Sequence, residues 1–410
     1  MTKYLFTLIF SITYLISINA QTWELLNESP YRSHHSIGFA LDGVGYSVTG
    51  SINEVPSSRF YSYNPTADEW TQKTDFPGPS RGFGIGDTWD GKAYIGFGTS
   101  QNGPLNDLWV FDPDADTWTE LASCPCDARL HPAFIANQGK VFVGMGNGNS
   151  GNMNDWWEYD IASNTWSQKP NFPDLPRHHP YQFAVGDYVY TGLGHGNNTA
   201  TGVNIFDELY RYDPQTETWD QMKTLPAEGR VAGTQFSYDG KGYVLSGDGD
   251  DHSVMPFGSF WEYDPLEDKW NGMPSHPGSS RWAPSSFVID DFIYFYNGLS
   301  LSLVEDLNVY RFYLGEGDPP TSVEELANDE IIVSPNPTQD KVNIQLANPS
   351  AVIKNLSLFN LSGQLILERT GLNNVYTNNI TFNIESVPNG VYYLKIELDD
   401  EVISHKIVKQ

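Results

Sequence analysis

Short runs in which β-branched and aromatic residues alternate with polar ones, such as RVAGTQFSY, KGYVLSG and FWEYD, recur along residues 21–314. Turn pairs such as Asp239-Gly240 separate them. Alternation of this length marks half-buried strands joined by tight turns, so the pattern predicts an all-β chain without long helices.

The runs repeat. An aromatic residue precedes a Trp by seven positions in YNPTADEW (Trp70), FDPDADTW (Trp118), YDIASNTW (Trp166), YDPQTETW (Trp219) and YDPLEDKW (Trp270), at Trp intervals of 48, 48, 53 and 51. Upstream of each unit an Arg opens an apolar strand: Arg32, Arg81, Arg129, Arg177, Arg230 and Arg281, advancing by 49, 48, 48, 53 and 51. Glycines at 50, 98, 146, 194, 247 and 298 advance by 48, 48, 48, 53 and 51. Landmarks that lengthen together belong to one structural unit, copied six times. Each copy reads as four antiparallel strands, a to d, with the aromatic on c and the Trp near d.

The sixth copy lacks its last strand, because Pro319 stands where a Trp is due. The missing strand is found at the other end: QTWELL, residues 21–26, resembles the strand d runs WTQK and WTEL. The N-terminal segment is therefore expected to complete the last sheet and leave no open edge.

Composition sharpens this picture. At 410 residues, with 37 Gly, 26 Pro and 14% aromatic residues, the length and turn content suit a repeat architecture. The net charge of −28 repels phosphates and anionic bilayers, so no nucleic-acid partner is expected. Residues 1–20, with Lys3, an apolar run from Tyr4 to Ile18 and a break after Ala20, read as a secretory signal peptide; no membrane span is expected. Residues 315–330 carry six acids and no base and read as a linker. Residues 331–410 hold six strand-like runs, including KVNIQL, NLSLFNL and GVYYLKIEL, and are expected to form a small β-sandwich.

On its four-strand period of about fifty residues, the region 21–314 resembles the kelch family, which implies a six-bladed β-propeller. It departs from the family in its glycine doublet, which is mostly Gly-x-Gly here (GFG, GMG, GLG). The run SPNPTQDKVNIQL, then LFNLSGQLI, VPNGVYYLKI and a basic end at Lys406 and Lys409, resembles the type IX secretion (Por) sorting domain of Bacteroidota. That resemblance implies engagement of the type IX secretion machinery by residues 331–410, and a secreted or outer-membrane-attached product.

The six arginines are over a third of the 16 cations in residues 21–314 and are expected on one loop face. They either attract an anionic ligand or pair with acids at the start of strand c, such as Asp107, Asp155, Glu208 and Asp306; the second is the simpler expectation for a feature of every repeat. His34, His131 and His179 sit two residues after their arginines, and His195 opens a long b–c loop in the fourth unit. These ten residues are the candidate ligand-binding set. Three histidines on different blades need not converge, so hydrogen-bonded channel lining is expected, with no metal and no cofactor. Asp248-Gly249-Asp250-Asp251 offers hard oxygen ligands for calcium but reads first as a solvated acidic loop. Cys124 and Cys126, separated only by Pro125, are expected to be thiols.

The resulting reading is an exported binding propeller that recognises a glycan, peptide or other envelope component, with a carbohydrate or protein partner at the cell surface. The alternative is an enzyme: exported kelch propellers include sialic-acid mutarotases, and Arg177 and Arg230 are the arginines placed to clamp a sugar carboxylate.

Overall fold

The computed structural model describes residues 22–197, 199, 201–249, 253–255, 257–300, 305–315, 331–335, 337–346, 353–360, 365–369, 379–397 and 402–410. The expected signal peptide and residues 316–330 of the acidic linker lie outside the described residues. The chain divides into two compact units, Met1–Glu316 and Gly317–Gln410.

In the first unit, six antiparallel sheets follow the repeats. The first is Ile37–Leu41, Val44–Val48, Phe60–Asn64 and Glu69–Gln72; the second is Ile85–Trp89, Lys92–Gly96, Leu108–Asp112 and Thr117–Leu121. The fourth is the long one, with Tyr188–Gly196 and Ile205–Asp213 extended so that His195 pairs with Ile205. The b–c segment that begins at His195 thus has ladder at both ends, between strands that stop at Gly196 and resume at Ile205. The first strands of successive sheets pack side by side in cyclic order, and Ile37–Leu41 packs against Ser285–Ile289 of the sixth sheet, which closes the circle. The all-β propeller read from the sequence is the observed fold.

The sixth sheet takes its outer strand from the start of the chain. Glu24 pairs with Arg311 and Leu25 with Tyr310, antiparallel, and an Arg311 Nε–Glu24 Oε2 ion pair of 2.7 Å accompanies this register. Trp23 packs on Phe312 with ring centroids 5.1 Å apart.

The repeated aromatic and Trp fill the wedge between blades. Tyr63–Trp70, Phe111–Trp118, Tyr159–Trp166, Tyr212–Trp219 and Tyr263–Trp270 have centroids 4.9, 4.9, 5.1, 4.8 and 5.0 Å apart. Large flat faces at these spacings bury apolar area and add a specific ring–ring term. Several indoles also reach the preceding blade: Trp166 donates to the Ala122 carbonyl at 2.7 Å and Trp270 to that of Lys223 at 2.8 Å. Gly98 shows why the landmark glycines are needed. Its φ is +83°, and a Cβ there would lie 2.4 Å from the Gly82 carbonyl oxygen.

The second unit has one sheet of Ile331–Ser334, Lys341–Leu346 and Asn379–Asn383, and another of Leu365–Arg369, Asn355–Asn360, Gly390–Glu397 and Val402–Lys409. Val342, Ile344, Leu356, Leu358, Phe382, Leu394 and Ile407 share a single core.

Candidate functional site

Each blade enters its first strand through the same turn, and six equivalent residues, His35, Phe83, His131, His179, Ala232 and Ala283, adopt left-handed φ values between 50° and 59°. Repetition of a costly conformation in non-glycine residues indicates that the surrounding fold enforces it. Their backbones link blade to blade: His35 donates to the Ala283 carbonyl at 3.0 Å, His131 to Phe83 at 3.2 Å, His179 to His131 at 3.1 Å and Ala283 to Ala232 at 2.6 Å. These residues therefore ring the axis. His35, His131 and His179 border an axial cavity of about 110 Å³, together with Ala232 and Ala283. The residues just before them, His34, Gly82, Leu130, Val231 and Trp282, bridge to Ser51, Thr99, Asn147, Asp248 and Leu299, and His178 pairs with His195 in the same way.

The arginines occupy a different place from that expected of a ligand face. Arg81, Arg129, Arg177, Arg230 and Arg281 are at most 2% exposed. Arg81 grips Asp107 bidentately at 2.8 and 2.6 Å, and Arg129 grips Asp155 at 2.5 and 2.8 Å. Arg281 reaches Asp306 at 3.1 Å. Arg177 bonds Asp174 at 2.7 Å and lies 3.6 Å from Glu208. Arg230 donates to the Ser259 hydroxyl. Their first role is to tie the start of strand a to the start of strand c, as buried charges require partners.

Arg32 is not a member of this set. It is exposed and donates to the Glu305 backbone carbonyl, while Ser33 takes the place that the other blades give to Arg: the Gly298 N–H bonds to Ser33 as the Gly50, Gly98 and Gly146 N–H groups bond to Arg81, Arg129 and Arg177. The same one-residue shift moves the first-blade axial histidine from His34 to His35. The sequence held the signal: each buried Arg precedes its glycine by 17 positions, and 17 before Gly50 is Ser33.

The histidines do converge, through His35 rather than the expected His34. One ring nitrogen from each of His35, His131 and His179 lies within 4.8 Å of the others. His35 Nε2 is 2.9 Å from His179 Nε2, and the His131 ring stacks on His179 with centroids 3.3 Å apart. Behind them His34 Nδ1 lies 2.7 Å from His35 Nδ1, and His34 Nε2 lies 3.2 Å from Glu54 Oε1. His178 bonds Asn152 Oδ1 at 2.9 Å and lies 4.9 Å from His195 between centroids. Six of the nine histidines thus gather at one end of the axis.

Burial holds the His34 imidazole below its ordinary pKa, partly offset by Glu54 and Glu305; burial, then His179 and His34, hold His35 well below. Both rings are neutral at pH 7, so their tautomers follow from their partners. The Glu54 carboxylate accepts a hydrogen bond from His34 Nε2–H, which leaves His34 Nδ1 to accept from His35 Nδ1–H. The lone pair of His35 Nε2 is then aimed at His179 and the cluster.

Two further features were not legible in the sequence. Trp282 lies edge-on to His35, with centroids 4.5 Å apart, and with Phe83 it supplies aromatic surface beside the imidazoles. Cys124 and Cys126 form a disulfide rather than two thiols, because the turn at Pro125 brings their Cα atoms to 5.1 Å. Of the acidic loop, Asp248 is buried and its carboxyl is pushed up to about 6 by desolvation; Asp250 and Asp251 lie outside the described residues.

Residues 45–308 match the Attractin/LZTR1 β-propeller family, and residues 333–410 match the secretion system C-terminal sorting domain. A solved structure titled "Structure of YjhT" is similar with a TM-score of 0.59 at 14% identity, covering 72% of this chain and 98% of its own, a likeness of fold. No curated protein matches the chain. The sorting domain makes this an exported protein linked to the secretion machinery, and no helix among the described residues is long and apolar enough to cross a membrane. With its propeller matched over more than half of its length, the chain belongs to the Attractin/LZTR1 β-propeller family.

Proposed function

We propose that the chain is an exported binding protein that takes a glycan at the histidine end of the propeller axis. The observation that carries this reading is the surface there: Phe83, His131, His178, His179, His195 and Trp282 are all partly exposed and adjoin one another around the axis. Aromatic faces stack on the C–H faces of a pyranose, and neutral imidazoles exchange hydrogen bonds with its hydroxyls. Short hairpins, Ser51–Ile52 with Val55–Pro56, Thr99–Ser100 with Gly103–Pro104 and Asn147–Gly148 with Gly151–Asn152, stand beside this surface and give it a rim on a rigid base.

Sugar mutarotation with Arg177 and Arg230 as carboxylate clamps has less support, since both guanidiniums are buried and already engaged. A glycan array probed with the full chain is expected to give binders that weaken at least about tenfold in Trp282→Ala, the scale of one lost aromatic contact. Peptide binding alone, or acceleration of N-acetylneuraminate anomer exchange seen by proton NMR, would replace the reading.

A further inference from the structure

Beyond ligand recognition at that end, we propose that His35, His131 and His179 form a three-histidine site for a borderline divalent transition-metal ion, of which Zn²⁺ is the type.

The donor set selects the ion. Three imidazole nitrogens and no carboxylate in the group favour Zn²⁺, Cu²⁺ or Ni²⁺ over Ca²⁺ or Mg²⁺, which demand oxygen ligands. Three protein ligands leave a fourth position, and the axial cavity bordered by the same residues gives a water molecule room to fill it.

The surroundings fit as well. A metal-ligating histidine usually gives its second ring N–H to a fixed acceptor, which sets its tautomer. His35 does this through His34 and Glu54, and its Nε2 lone pair points into the group. The chain's charge of −28 raises the local concentration of cations.

Tetrahedral convergence on an ion with metal–nitrogen distances of about 2.1 Å needs nitrogens roughly 3.4 Å apart. His35 Nε2 and His179 Nε2 already stand 2.9 Å apart and all three nitrogens lie within 4.8 Å; with an ion bound, His179 would carry its proton on Nδ1. The repeat itself argues that this asymmetry is not structural. Phe83, Ala232 and Ala283 hold the same left-handed conformation in the other three blades, so the turn does not require histidine.

The test uses the untagged full chain, stripped with a chelator and titrated with Zn²⁺ by calorimetry, with Co²⁺ as a spectroscopic probe of nitrogen coordination. One equivalent of Zn²⁺ is expected to bind and raise the melting temperature, with competition from Cu²⁺ and Ni²⁺ but not Mg²⁺. His131→Phe and His179→Ala introduce residues that the repeat already accepts at this position; each is expected to weaken binding by about 100-fold or more while the protein stays folded. His34→Phe and Glu54→Gln are expected to weaken it by about 10- to 100-fold, the usual effect of outer partners. No stoichiometric binding of Zn²⁺, Cu²⁺ or Ni²⁺ by the folded chain, or binding that survives in the His131→Phe/His179→Ala double variant, overturns the proposal. The glycan reading is judged separately, by binding measured in the presence of chelator.

Discussion

Trp23 donates its indole N–H to the carbonyl oxygen of Pro274 at 2.9 Å, across 251 residues of sequence. It makes for the sixth blade the contact that Trp270 makes with Lys223 for the fifth. Trp23→Ala is expected to cost roughly 2–3 kcal/mol, below the ~3–5 of a fully buried Trp because its ring is partly exposed. In thermal denaturation this reads as a loss of roughly 5–10 °C. Deleting residues 22–26 should lower it further, and an unchanged melting point in the deletion would disprove that this strand closes the ring.

Asp155 is pushed up by burial and pulled down more strongly by Arg129 and the Trp157 indole, so its folded pKa lies below the ordinary 3.8. A depressed acid contributes stability that is complete above its unfolded value and is lost as pH falls through the folded one. Arg129→Met/Asp155→Leu should therefore flatten the acid limb of the stability curve below about pH 4. Asp155→Ala alone, which strands a buried guanidinium, should cost roughly 3–5 kcal/mol. Urea titrations across pH resolve both effects.

Asp87 has the opposite sign. Burial raises its carboxyl to about 6, against the pull of the Ala136 and Thr88 N–H groups. The native state then binds the proton more tightly than the unfolded chain between about pH 4 and 6, so this residue makes stability fall as pH rises through that window. Asp87→Asn keeps an acceptor for Ala136 and removes the charge. Its expected result is a more stable protein at pH 7 and little difference at pH 4, seen as melting temperatures that coincide at pH 4 and diverge as pH rises through 6.

Cys124→Ser/Cys126→Ser should change little. The bond closes a loop of three residues, for which the chain-entropy effect is roughly 1.5 kcal/mol. A loss of activity or fold well beyond that on reduction would give the disulfide a role that its short loop does not predict.

The blade order, the closing strand and the Arg–carboxylate ties to Asp107, Asp155 and Asp306 were legible because they repeat: a feature copied in phase declares its own geometry. Arg32 and His34 were misplaced for the complementary reason. The first blade carries Ser33 where the others carry Arg, and a neighbouring Arg one position earlier imitated the landmark; only the interval of 49 against 48 betrayed it. The meeting of His35, His131 and His179 could not be read from order along the chain. It depends on the radius at which each blade delivers its turn, and on a packing that lets side chains from the first, third and fourth blades cross the axis.

The pairing of Glu24 with Arg311, 287 residues apart, also sets an order of events during folding. A chain that emerges amino end first holds its opening strand without a partner until almost the whole propeller has followed, since contacts this distant in sequence form late. Throughout that interval the edge at Glu24–Leu25 stands unpaired, and at its end so does that of Tyr310–Tyr313; each is a template for pairing with a foreign strand. Factors that hold extended segments therefore have a defined window in which to act, and it ends when the sixth blade is complete.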